Sequence, residues 1–214
     1  MKLYTYFRSS AAYRVRIALN LKGVDWEAVP IHLLRDGGEH LRPEYRRIHP
    51  GAMVPVLQDA EAVLTQSLAI IEYLDETVAG PALLPADPLG RARVRALAQT
   101  VACDIHPLNN LRVLRELETR FGADASAKAD WYRHWLGEGL KTLEAMLAGH
   151  AAAATFCHGD TPTLADCCLV PQVFNAHRYK LDMAAFPTVS RIDAACTGLA
   201  AFADAHPSKQ VDAE

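Results

Sequence analysis

Three short stretches carry residues whose types and spacing can do chemistry. The first is Arg8-Ser9-Ser10, between an aromatic, β-branched run and a helical pattern. A helix start presents unpaired backbone N–H groups and a partial positive charge, which suits an anion. A hydroxyl there can also donate to a thiolate and lower its pKa. The plainer alternative is that Ser9 or Ser10 only caps the helix. The second stretch is Val54-Pro55. A proline just before a strand can form a cis peptide, which exposes the preceding N–H and C=O to an extended ligand. An ordinary edge-strand proline is the other reading. The third is Gln66-Ser67, where Ser67 opens a helix. It either holds a carboxylate with its backbone N–H or caps with no ligand.

Arg112 follows His106-Pro107-Leu108-Asn109-Asn110, a polar patch midway along a long helical segment. Polar residues beside a helix-breaking proline point to a cleft rather than a core. Arg8, Arg112 and Arg178 form a set of guanidinium groups, although the default for any single one is a solvated side chain. Thr163-Leu164-Ala165-Asp166 has capping-box spacing ahead of an apolar helix, a structural signal. The histidines show no HxH or HExxH spacing and the cysteines no CxxC pair, so no metal site is expected. No Walker loop, GxGxxG or GxSxG occurs, which disfavours nucleotide and α/β-hydrolase chemistry.

The elements that must position these residues change character along the chain. Leu3 to Tyr6 reads as a strand and Ala11 to about Lys22 as a helix ended by Gly23. Trp26 to Leu33 reads as an edge strand because of Pro30. After a variable stretch, Val54 to Leu57 and Ala62 to Leu64 read as a hairpin, followed by a helix from Ser67 to Val78. A connector rich in Gly and Pro covers 79–90. Beyond it the pattern is helical: Arg91 to Leu117 interrupted by Pro107, Asp130 to Leu147, Leu164 to Arg178, then shorter helices after Phe186-Pro187. Two domains are expected, an α/β unit over 1–80 and an all-helical unit over 87–214.

The chain has 214 residues, half of them hydrophobic, with 22% charged and a net charge of −3. That composition suits one or two packed domains and excludes disorder. It offers no basic field for nucleic acid. No apolar run reaches the roughly 20 residues needed to cross a bilayer, and no secretion signal is read at the N-terminus. Cys103, Cys157, Cys167, Cys168 and Cys196 are odd in number and unpaired in spacing, which suggests a reducing cytoplasm.

Taken together, the chain resembles the soluble glutathione transferase family, and specifically its zeta class. The segment from Tyr6 to Leu19 looks like the zeta signature SSCxxRVRIAL. Val54-Pro55, Gln66-Ser67, Leu83-Leu84-Pro85, His106-Pro107, Gly159-Asp160, Leu164-Ala165-Asp166 and Val170-Pro171-Gln172 look like further family landmarks, in order. The resemblance implies a thioredoxin-like N-terminal domain followed by a helical domain, paired as a homodimer, with glutathione as cofactor. Carried over by position, Ser9 would donate to the glutathione sulfur, with Ser10 and the helix start in support and Arg8 beside them. Val54, held by a cis Pro55, would pair with the peptide part, and Gln66 and Ser67 would hold the γ-glutamyl end. His106, Asn110 and Arg112 would reach in from the helical domain. Arg8, Arg112 and Arg178 would clamp a small dicarboxylate keto acid.

The zeta class is associated with glutathione-dependent cis–trans isomerisation of maleylacetoacetate or maleylpyruvate. The stretch around His106 looks more like the bacterial maleylpyruvate enzymes. Two departures stand out: Ala11 replaces the signature cysteine, and Gly51-Ala52-Met53 lacks a polar Gln before Val54. The first rules out any mechanism that needs that thiol, and the second removes a side-chain contact to glutathione. A conjugating or dehalogenating transferase and a non-catalytic glutathione-binding member are the alternatives.

Overall fold

The computed structural model describes residues 1–214, and they divide into two compact units. One comprises Met1–Leu83 with Gly198–Glu214, the other Leu84–Thr197.

The first unit is built on a four-stranded mixed sheet. Strand β1 (Lys2–Thr5) runs parallel to β2 (Glu27–Pro30) and antiparallel to β3 (Val56–Asp59), which pairs with β4 (Ala62–Thr65). The spatial order is β2-β1-β3-β4, the expected thioredoxin-like arrangement. β2 is an edge strand, shorter than the Trp26–Leu33 run, and Pro30 ends it where no further ladder partner is available. Leu3 is fully buried while Lys2 is exposed, the alternation of a half-covered sheet.

Helix α1 (Ser10–Leu21) crosses from β1 to β2 and packs against α3 (Ser67–Thr77). Val15, Ile17, Leu19, Ile70, Ile71 and Leu74 are removed from solvent, each contributing about 2–3 kcal/mol by burial. The stretch left unassigned by periodicity holds α2 (Pro43–Ile48), a short helix that starts on a proline.

The second unit is helical. It contains α4 (Pro88–Gln99), α5 (Leu111–Phe121), α6 (Ala125–Leu147), α7 (Leu164–Arg178) and α8 (Pro187–Thr197). α7 is buried almost all round and packs on α4 and α8, so its sequence is apolar without one clear face. Asp166 fixes its start: Oδ2 accepts the Thr163 N–H and hydroxyl at 2.8 Å each, and Oδ1 accepts the Cys157 N–H at 2.9 Å.

Three expectations need correction. The segment read as one helix from Arg91 to Leu117 is α4, a π-helical turn over Thr100–Ile105, and α5. The second unit ends at Thr197 rather than 214, because α9 (Ala200–Ala205) returns to pack on α1. Ser67 is also not the cap of α3. Gln66 holds that position with φ +69° and ψ +115°, and Ser67 is the first helical residue.

Candidate active site

In the first unit Arg8, Ser9 and Ser10 stand at the start of α1, Gln66 and Ser67 at the start of α3, and Val54-Pro55 just ahead of β3. Ser9 is the N-cap of α1 (φ −68°, ψ 115°), and its Oγ accepts the Ala12 N–H at 3.2 Å. A hydroxyl has two lone pairs and one proton, so capping uses an acceptor and leaves the O–H to donate outward. The two readings of Ser9 are therefore compatible. Ser9 is half-buried, and Ser10 behind it is buried. Arg8 donates to the Tyr6 hydroxyl at 2.9 Å and lies 5.0 Å from the Phe7 ring centre, so it is held against two aromatic rings.

The Val54–Pro55 peptide is cis, as the resemblance implies. Val54 lies just outside the β1–β3 ladder, which pairs Tyr4 with Val56 and goes no further. Its approach is set by α2: the Tyr45 hydroxyl donates to the Met53 carbonyl at 2.7 Å. Burial, with Tyr4 adding to it, pushes the Tyr45 phenol up, so it stays a donor. Tyr45 gave no signal in the sequence because its helix is too short to show a period. Gln66 is exposed, with a backbone conformation that side-chain-bearing residues rarely adopt. Ser67 is buried, and its hydroxyl accepts from Arg14 Nη1 at 3.1 Å. What α3 can offer a carboxylate here is its first-turn backbone N–H groups.

The second unit gathers the 106–112 stretch, α6 and the end of α7. His106 and Asn110 are half-buried and Arg112 is exposed at the start of α5, where the Asn110 side chain accepts the Arg112 N–H at 3.1 Å. Asn109 is buried and donates to the Tyr132 carbonyl at 3.3 Å, while Trp131 donates to the Leu108 carbonyl at 2.8 Å. The proline-bounded stretch is thus fastened to α6. Arg178 sits 4.8 Å from the Tyr179 ring centre and 6.0 Å from that of Tyr132; those two rings stack at 3.7 Å. Burial pushes the Tyr132 phenol up to about 12, with Arg178 acting against it and Tyr179 with it. The sequence does not mark Tyr132, because a helical aromatic reads as core, nor Tyr179, which caps the end of α7.

No group of three His, Cys, Asp or Glu side chains is arranged to hold a metal. All five cysteines are free, and Cys103 alone is exposed. No helix is long and apolar enough to cross a membrane.

Residues 3–82 match the family model for the glutathione S-transferase N-terminal domain, and residues 129–208 match that for the C-terminal domain. A maleylacetoacetate isomerase of Rhizobium meliloti (strain 1021) is 51% identical over 207 residues, covering 97% of this chain and 96% of that one. The holo structure of a maleyl pyruvate isomerase, a bacterial zeta-class glutathione S-transferase, is 48% identical with a TM-score of 0.97 over 100% of both chains. A maleylacetoacetate isomerase from Anaeromyxobacter dehalogenans 2CP-1 was solved with dicarboxyethyl glutathione and citrate in its active site. It is 42% identical, with a TM-score of 0.86 over 100% of this chain and 97% of that one. The chain belongs to the glutathione S-transferase family, and these relatives bear out the resemblance to its zeta class.

Proposed function

We propose that the protein is a glutathione-dependent cis–trans isomerase of a maleyl keto acid, maleylacetoacetate or maleylpyruvate. The observation that carries the reading is Ser9, a helix N-cap whose oxygen is held by Ala12 while its proton is left to donate. Such a group, with the α1 N-terminus behind it, stabilises a sulfur anion. Glutathione, when bound, supplies a thiolate that adds reversibly to the cis double bond and leaves after rotation.

The residues fit that cofactor. Val54 presents backbone outside the ladder for the peptide part, and Gln66 with the first turn of α3 offers N–H groups to the γ-glutamyl carboxylate. His106, Asn110 and Arg112 are the contributors from the second unit. Arg8, Arg112 and Arg178 bind the substrate carboxylates, since a guanidinium matches a carboxylate bidentately. Two of the three are braced on aromatic rings, Arg8 by Tyr6 and Phe7 and Arg178 by Tyr179 and Tyr132. The dicarboxyethyl glutathione in the Anaeromyxobacter relative supports a site for a sulfur-linked dicarboxylate. Family membership supports pairing as a homodimer, and the free cysteines support a cytoplasmic setting.

The test is turnover of maleylpyruvate and of maleylacetoacetate, each with and without glutathione. Glutathione-dependent formation of the fumaryl product is expected, and the larger kcat/KM names the substrate. Ser9→Ala should lower kcat by about 10²-fold with the fold retained. Turnover of neither acid by a protein that still binds glutathione would favour a conjugating or dehalogenating transferase instead.

A further inference from the structure

The turn that carries Ser9 is anchored by residues from the far end of the chain. Arg16 is fully buried and spreads its guanidinium over this turn. Nη1 donates to Thr5 Oγ1 at 3.1 Å and to the Tyr6 carbonyl at 3.4 Å, and Nη2 to the Phe7 carbonyl at 3.0 Å. Its Nε reaches the Ala205 carbonyl at 3.1 Å, tying the turn to α9. The other side of the Phe7 residue is held by Asp212, whose Oδ2 accepts the Phe7 N–H at 2.9 Å. Ser9 closes the turn by donating its N–H to the Tyr6 carbonyl at 2.9 Å. Burial pulls Arg16 down to about 10, and Tyr13 and then Asp212 work against that shift.

Farther out, His32 Nδ1 accepts the N–H groups of Leu34 and Arg35, at 3.2 and 2.7 Å. The ring proton is therefore on Nε2, which donates to Glu214 Oε1 at 3.1 Å. This second tie holds the tail with no hydrogen bond to residues 5–9, the His32 ring meeting that segment only edge-on at Tyr6, with centroids 5.0 Å apart.

We propose that Asp212 is a positioning residue for the Ser9 hydroxyl, acting through the Phe7 N–H. The inference rests on the reading of Ser9 given above. With Arg16 on the Phe7 carbonyl and Asp212 on its N–H, the residue two places before Ser9 cannot rotate. The aim of the hydroxyl is fixed before a thiol arrives. The same hold steadies the Phe7 ring on which Arg8 rests. Without Asp212 the turn is held from one side only, and a misaimed donor loses much of its effect on a bound anion. The Oδ1 atom of Asp212 is out of solvent with no hydrogen-bonding partner, so its carboxylate is placed by Oδ2 alone.

The experiment measures the fraction of bound glutathione present as thiolate at pH 7, from its near-ultraviolet absorbance, in the full-length protein. Asp212→Ala should lower that fraction about tenfold, with glutathione affinity changed less than about twofold. Asp212→Leu, which fills the space without an acceptor, should repeat the loss. Asp212→Asn, which keeps an acceptor oxygen, should restore most of it. Glu214→Ala, which cuts the other tie, should leave the fraction unchanged. A parental thiolate fraction in Asp212→Ala and Asp212→Leu would overturn the proposal, provided Ser9→Ala loses it. An equal loss in Glu214→Ala would also overturn it, since general loosening of the tail would then explain the effect. If Ser9→Ala itself keeps the thiolate, the reading of Ser9 fails and the proposal falls with it.

Discussion

Arg14 Nη1 donates to Ser67 Oγ across 3.1 Å of interior, joining α1 to the first turn of α3. Each of those helix starts is proposed to face a different end of glutathione, and this buried bond adds to the apolar packing that holds α1 on α3. Ser67→Ala removes one buried acceptor of the Arg14 guanidinium. The variant should lose about 1–3 kcal/mol of stability. Urea unfolding checks this, and a parental midpoint would show the bond to be dispensable.

Arg178 is exposed but stands against a stacked pair of tyrosines. Arg178→Ala should raise KM for the keto acid at least about tenfold, the worth of one charge-assisted pair, with KM for glutathione within about twofold. Steady-state kinetics with each substrate varied in turn separates the two. Equal effects on both would remove Arg178 from the substrate clamp. In the same variant the Tyr132 phenol should titrate higher than in the parent, since Arg178 opposes the effect of its burial.

Gly139 lies on α6 where a Cβ would run into the Ile105 side chain. Ile105 ends the π-helical turn that leads into the 106–110 stretch. Gly139→Ala should cost about 1–3 kcal/mol through overpacking. It should also raise KM for glutathione, because the stretch bearing His106 and Asn110 is displaced. Gly139→Ala with Ile105→Val should recover part of both, which calorimetry and kinetics can read.

Burial raises the Asp193 carboxyl from 3.8 to about 6. The folded state then binds its proton more tightly than the unfolded chain. Its contribution is favourable below pH 3.8 and is lost as pH rises through about 6. Asp193→Asn should therefore be more stable than the parent at pH 7 by about 1 kcal/mol. The gain should vanish near pH 4, and thermal melts at both pH values test the sign.

Local signals in the sequence were read well where one short segment decided the outcome. Ser9 caps α1, α7 spans the residues its apolar run suggested, and Gly23 lies just past α1 in the left-handed region. What stayed hidden depends on partners far along the chain. The π-helical turn ends on Ile105, which lies against Gly139, a contact no window of sequence contains. Ser67 looked like a cap because serine favours that position, yet its hydroxyl serves Arg14 and the strained Gln66 takes the cap. Asp212 sits 205 positions from the N–H it accepts. Tyr132 sits in α6, where aromatics commonly pack as core, Tyr179 follows the last residue of α7, and only their stacking beside Arg178 marks them.

The return of α9 and the residues after it to α1 bears on how the protein is made. A ribosome releases β1 to α3 early, but α9, which covers α1, the Ala205 carbonyl that takes Arg16 Nε and the Asp212 carboxylate that takes the Phe7 N–H are still unsynthesised. The helical unit, contiguous from Leu84 to Thr197, can complete its contacts first. The catalytic turn is then the last part to be locked. A chain stalled or clipped ahead of residue 198 would carry every residue proposed to touch glutathione, with Ser9 not yet aimed.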